Sequence, residues 1–202
     1  MKRMRAILAI SLALALSGCT VVDLDASGNP IMPKDPHAKP GYSNQTPQQI
    51  AEASWQSRVL DVAQQHALSW ADMETKSSTV KAGGSESVFV RASGTVAALD
   101  ESNSRERSLT LTLNGKPVRV SIGPVIRSNA LRDAAGFRFE EFTNQVQYAQ
   151  LTRALNRHAV QQLPKVDASW VGKPVQALLA VEMGHGTVND VMAVELKSGE
   201  AP

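Results

Sequence analysis

The stretch Leu109-Thr110-Leu111-Thr112-Leu113-Asn114-Gly115-Lys116-Pro117-Val118-Arg119-Val120-Ser121-Ile122 constrains this chain more than any other. Leucines alternate with threonines before Asn114-Gly115, and Val118, Val120 and Ile122 alternate with Arg119 and Ser121 after it. Side chains of a strand point to opposite faces in turn, so each half reads as a strand with one buried and one wet face. Asn-Gly accepts the positive φ angles of a tight two-residue turn and is the strongest short-range hairpin signal. A lone hairpin cannot bury its apolar face, so further strands are required.

Those strands are present on both sides. Val88 to Val96 is rich in β-favouring residues and carries Gly94, which predicts a bend or bulge. Asp100 to Arg107 reads as a polar turn, and Gly123 to Phe139 shows no clear period. A helix is predicted from about Thr143 to Leu163, capped by Thr143 or Asn144. Tyr148, Leu151, Leu155 and Ala159 form its apolar stripe, and Pro164 stops it. Strands follow over Pro174 to Met183 and Val188 to Leu196, joined at Gly184-His185-Gly186. The order β-β-β-α-β-β over residues 86–198 is that of an OB-fold, here expected as a five-stranded antiparallel Greek-key barrel within an α+β domain. A generic α+β domain with an open antiparallel sheet has the same order.

A long amphipathic helix is expected before the barrel, over residues 46–76. Thr46, Pro47 and Gln49 supply a capping box with proline at the first helical position. Trp55, Val59, Val62, Ala63, Ala67, Trp70 and Met73 recur at helical spacing on one face. Residues 46–202 therefore read as a single globular domain.

The N-terminus is of another kind. Lys2, Arg3 and Arg5 precede an apolar run from Ala6 to Leu16. A helix of that length falls far short of a hydrocarbon core about 30 Å thick, so the run reads as a secretory signal peptide, residues 1–18. Leu16-Ser17-Gly18-Cys19 at its end resembles a bacterial lipobox, which marks Cys19 as the lipidation site. Two or more acyl chains make a stable membrane anchor. Cys19 is the chain's one cysteine, so the mature protein forms no internal disulfide and no thiolate metal site. Residues 19–45, with Pro30, Pro33, Pro36 and Pro40, read as an extended tether that also holds His37.

Charge narrows the function. The full chain holds 21 Lys and Arg against 19 Asp and Glu. Loss of Lys2, Arg3 and Arg5 with the signal leaves 18 against 19, about −1. A nucleic-acid binder relying on phosphate contacts keeps a basic excess, so no nucleic-acid partner is expected.

The meander, the segment from Gly123 to Phe137 and the helix from Phe142 to Asn156 together resemble a known family. It is that of the bacterial predicted periplasmic lipoproteins carrying domain of unknown function 2291. The resemblance rests on the lipobox, Gly28-Asn29-Pro30, Trp55, Ile122-Gly123-Pro124-Val125-Ile126-Arg127, Ala130-Leu131-Arg132-Asp133 and Phe142-Thr143-Asn144-Gln145. It implies a periplasm-facing protein. Genes of this family tend to lie near sugar ABC-transport genes, which implies an accessory role in solute uptake with a transporter or periplasmic partner.

The densest polar cluster is Arg127, Ser128, Asn129, Arg132 and Asp133, followed by Phe137, Phe139, Phe142, Asn144 and Gln145. Guanidinium forks suit carboxylates and phosphates, amides suit sugar hydroxyls, and aromatic faces stack on sugar rings. The cluster is the candidate ligand or partner site. The competing structural reading pairs Arg127 or Arg132 with Asp133 or Glu140 and makes Asn144 a helix cap. No nucleophile elbow, zinc motif or phosphate loop occurs. The expected function is non-enzymatic binding, without metal or cofactor. A glycan-binding barrel is the first alternative and a hydrolase the second. Thr20 after the lipidated cysteine points, by the enterobacterial sorting rule, to the outer membrane.

Overall fold

The computed structural model describes residues 41, 42 and 44–199. Cys19, the signal, His37 and most of the tether lie outside the described residues. Chain order begins with α1 (Pro47–Ser54), where the Thr46 hydroxyl accepts from the Gln49 N–H and the Gln49 side chain accepts from the Thr46 N–H. The helix widens into a π-helical segment (Trp55–Leu60) and ends in α2 (Asp61–His66). The single helix expected over 46–76 is broken here. Ala67 turns extended, β1 (Leu68–Ser69) pairs with Val90 and Arg91, and Ser69 caps a new helix, α3 (Trp70–Ser77). Helical spacing continues across the break, so the pattern conceals it. The Ser69 hydroxyl, which accepts from the Asp72 N–H, is the local cause of the restart.

The barrel strands are β2 (Glu86–Asp100), β3 (Glu106–Leu113), β4 (Lys116–Pro124), β5 (Pro174–Gly184) and β6 (Thr187–Ser198). Their order is β2-β3-β4-β6-β5, and β5 pairs back to β2, closing the barrel. The fold is OB-like α+β, with one correction: the barrel is mixed and not purely antiparallel. The crossover after β4 delivers β5 running opposite to β4, and the β5–β6 hairpin reverses the chain once more, so β6 lies parallel beside β4.

β2 serves two neighbours in turn. Glu86 to Thr95 pairs with β5, and Thr95 to Asp100 pairs with β3. Gly94 sits at the hand-over. A Cβ there would lie 2.3 Å from the Thr112 carbonyl oxygen, so only glycine lets the strands cross this closely. Asn114 (φ 49°) and Gly115 (φ 76°) make the β3–β4 turn.

The crossover between β4 and β5 contains α4 (Ala130–Ala134), a 3-10 turn (Phe139–Glu141), α5 (Gln145–Gln162) and a second 3-10 turn (Ala168–Trp170). Two cores result. Leu109, Leu111, Leu113, Val120, Leu179 and Met183 fill the barrel, with Trp70 and Trp170 in the same cluster. Outside it, α1, α4 and α5 pack with Phe89, Leu178, Ala180, Met192 and Val194. β5 and β6 are thus buried on both faces, which explains the unbroken apolar run Ala177-Leu178-Leu179-Ala180-Val181.

Candidate functional site

The residues singled out in the sequence part company in the structure. Ser128 is buried; its hydroxyl accepts from the Ala130 N–H at 3.1 Å. The Asn156 amide on α5 donates to the Ser128 and Ile126 carbonyls at 2.8 and 3.1 Å. Arg132 lies over the Tyr148 ring at 3.9 Å and donates to Asp133 and to Thr152, whose hydroxyl donates to Asn129. Asn144 caps α5, accepting from the Gln147 N–H at 2.9 Å, and Gln145 is exposed beside it. Ser128, Asn129, Arg132, Asp133 and Asn144 therefore engage one another and α5. Phe137 and Phe142 are buried against Tyr42 and hold no free ring face, whereas Phe139 is half exposed.

Arg127, by contrast, lines a cleft. The cleft, about 260 Å³, opens on the outer surface of β3 and β4. Its lining brings together the guanidinium groups of Arg107, Arg119 and Arg127, the carboxylates of Glu106 and Asp190, and the hydroxyls of Ser108 and Ser121. Arg127 pairs with Glu106 at 3.0 Å, Arg119 with Asp100 at 3.3 Å and Arg107 with Glu101 at 2.6 Å. Arg119 also donates from Nε to the Ser108 hydroxyl at 2.9 Å. Arg107 donates to the Val166 carbonyl, and its buried Nε has no acceptor among the described residues. Strand alternation would send Arg107 and Ser108 to opposite faces. A register shift between them against β4 brings both to the cleft. That shift is why the alternation read in the sequence did not reveal Arg107. Arg119 and Ser121 were visible as the wet face of β4, but nothing in the pattern showed that Asp190, some seventy positions on, completes the wall.

The Ser102 hydroxyl and N–H both donate to Asp100, and with Arg119 nearby they hold its carboxyl below the usual range. Two histidines are engaged elsewhere: His158 packs against Trp55, and His185 Nδ1 contacts the Val80 carbonyl at 2.7 Å. A second lobe of about 380 Å³ continues past Arg119, Ser121 and Asp190 toward Trp70, Glu74 and Lys116. Among the described residues no group of three His, Cys, Asp or Glu side chains is placed to hold a metal.

A distinct polar cluster ties down the end of the tether. Tyr42 stacks on Phe142 at 5.1 Å, and its hydroxyl accepts from Arg58 at 3.2 Å. Arg58 also lies over Phe137, donates to the Gly136 carbonyl and pairs with Glu141 at 2.5 Å. Burial pushes the Glu141 carboxyl up, but hydrogen bonds from Arg58 and the Arg138 N–H outweigh it, and the net shift is downward.

Among the described residues no helix is long and apolar enough to cross a membrane. No curated protein matches the chain. A family model described as predicted periplasmic lipoprotein matches residues 9–197. The crossover that carries Arg127 and the hairpin that lines the cleft both fall inside that match. The chain belongs to the predicted periplasmic lipoprotein family of domain of unknown function 2291.

Proposed function

We propose that this periplasmic lipoprotein is a non-enzymatic binding protein that takes a small polyhydroxylated ligand, a sugar, in the cleft over β3 and β4. The observation that carries the reading is the gathering of guanidinium, carboxylate and hydroxyl groups round one small volume. A sugar hydroxyl both donates and accepts, so neighbouring hydroxyls match neighbouring cations and carboxylates. The lining has no histidine or cysteine, and the Ser108 oxygen accepts from a guanidinium, which supports binding in preference to catalysis. The family resemblance adds an accessory role beside a sugar ABC transporter, met through a periplasmic or transporter partner. Thr20 supports sorting to the outer membrane.

The test is a thermal-shift panel of mono- and disaccharides on the lipid-free domain. One or more should raise the melting temperature, and Arg127→Ala should remove the shift without lowering the unliganded melting temperature. Absence of any shift up to tens of millimolar sugar overturns the ligand reading. In-cell crosslinking from the cleft should capture a transporter or solute-binding protein, and fractionation should place the lipoprotein in the outer membrane. A second reading, an oligosaccharide laid along the same strands, is supported by their place as second and third strands of an OB-like barrel. It differs in one outcome, a shift that grows with glycan length.

A further inference from the structure

The second lobe of the cleft sits where two strands part. β4 and β6 run parallel but register at one pair only, Ser121 opposite Met192. Before that pair, Lys116 to Val120 register with β3 alone, and Val188, Asp190 and Val191 register with β5 alone. The lobe lies between these stretches, with Pro117, Val118 and Arg119 on one wall, Val188 and Asp190 on the other, and Trp70 also lining it.

The hairpin register fixes which main-chain groups face it. Leu113 and Lys116 close the tight turn as a hydrogen-bonded pair, and the pairs alternate from there. Val118 and Val120 bond to β3, whereas Pro117, Arg119 and Ser121 turn their main-chain groups toward β6. Ser121 finds Met192. The Arg119 N–H and C=O and the Pro117 C=O have no strand beside them among the described residues. Proline, which lacks an N–H, fits such an outward edge position. Two side chains are also unmatched among the described residues. Trp70 is 6% exposed, and its Nε1–H has no acceptor. Asp190 forms none of the ion pairs found there.

We propose that this seam receives one extended strand of a partner polypeptide. A strand running opposite to both β4 and β6 is antiparallel to each, and its main chain meets the free N–H and C=O of Arg119. A ladder of donors and acceptors at alternate residues is the signature of a peptide backbone, not of a sugar. A basic side chain on the strand meets Asp190, and β-branched side chains cover Val118 and the exposed Val188. The sugar reading of the neighbouring lobe can fail without touching this one.

The probe is the peptide acetyl-Thr-Val-Lys-Val-Thr-Val-amide, titrated into the domain and followed by amide hydrogen exchange. Exchange at the Arg119 amide should slow by about tenfold or more at saturation. The same peptide N-methylated at alternate residues should not bind. Arg119→Pro removes the outward N–H while leaving the main-chain bonds to β3 intact, and should weaken binding by about tenfold relative to Arg119→Ala, which loses the same side-chain bonds to Ser108 and Asp100 but keeps the N–H. Asp190→Asn should erase the preference for this peptide over its Lys-to-Glu analogue, and it serves if Arg119→Pro fails to fold. No protection at Arg119 in the folded domain overturns the proposal. So does equal binding of the N-methylated peptide, or protection at Arg119 by maltotriose but not by peptide.

Discussion

Gly94 and Arg58 show how differently single residues declare themselves. Gly94 stands out as the one glycine in a β-favouring run, and that run alone is enough to predict its bend. What the sequence does not show is the cause, the approach of the Thr112 carbonyl from the neighbouring strand. Gly94→Ala should lower stability by about 3 kcal/mol, read by urea denaturation, since backbone and not a flexible side-chain tip stands in the way. Arg58 reads as an ordinary polar residue on the wet face of a helix. In the fold it binds Tyr42, Gly136 and Glu141 and covers Phe137, partners drawn from far along the chain. Arg58→Ala should lower stability by about 2 kcal/mol, because it leaves partly buried acceptors without a donor. Arg58→Lys should recover only part of this, since an ammonium cannot reproduce the planar fork.

At the scale of elements, strand alternation and the Asn-Gly turn made the barrel readable, because a period of two survives any context that keeps one face wet. Segments whose order depends on distant partners were not readable. The crossover from Val125 to Phe137 has no period of its own; Asn156, a polar residue inside the α5 pattern, holds it by donating to the Ile126 and Ser128 carbonyls. The polar cluster of that crossover therefore mixes scaffold and cleft residues, and local sequence cannot separate them. Asn156→Ala should cost about 2 to 3 kcal/mol by leaving two buried carbonyls unmatched. Asn144→Ala, which removes only the cap of α5, should cost about 1 kcal/mol. Chemical denaturation of the two variants side by side checks that order. Equal costs would mean that α5 carries the crossover by packing alone.

For the whole molecule, lipidation and folding make separable demands. The sequence sets Cys19 in a segment before the domain, and the residues named in the two cores lie at or after Tyr42, so Cys19→Ser should abolish membrane retention and leave the domain's melting temperature unchanged. Persistence of the Cys19→Ser chain in the membrane fraction would contradict the lipobox reading. Acid bears on the folded domain itself. Asp100, Glu141 and Asp167 are all held below their usual carboxyl range. Hydrogen bonds within turns act first for Asp100 and Asp167, while the Arg58 and Arg138 contacts overcome burial for Glu141. A carboxyl depressed in the folded state contributes stability that is complete above its unfolded pKa, about 4 for these groups, and is lost as pH falls through the lower folded value. The domain should therefore keep its melting temperature from neutral pH down to about 5 and lose it progressively below 4. Glu141→Gln removes the one partly buried member of the set. It should lower the neutral-pH melting temperature and flatten the acid slope, so that the two profiles converge at low pH. Parallel profiles would show instead that Glu141 acts through packing and not through its charge.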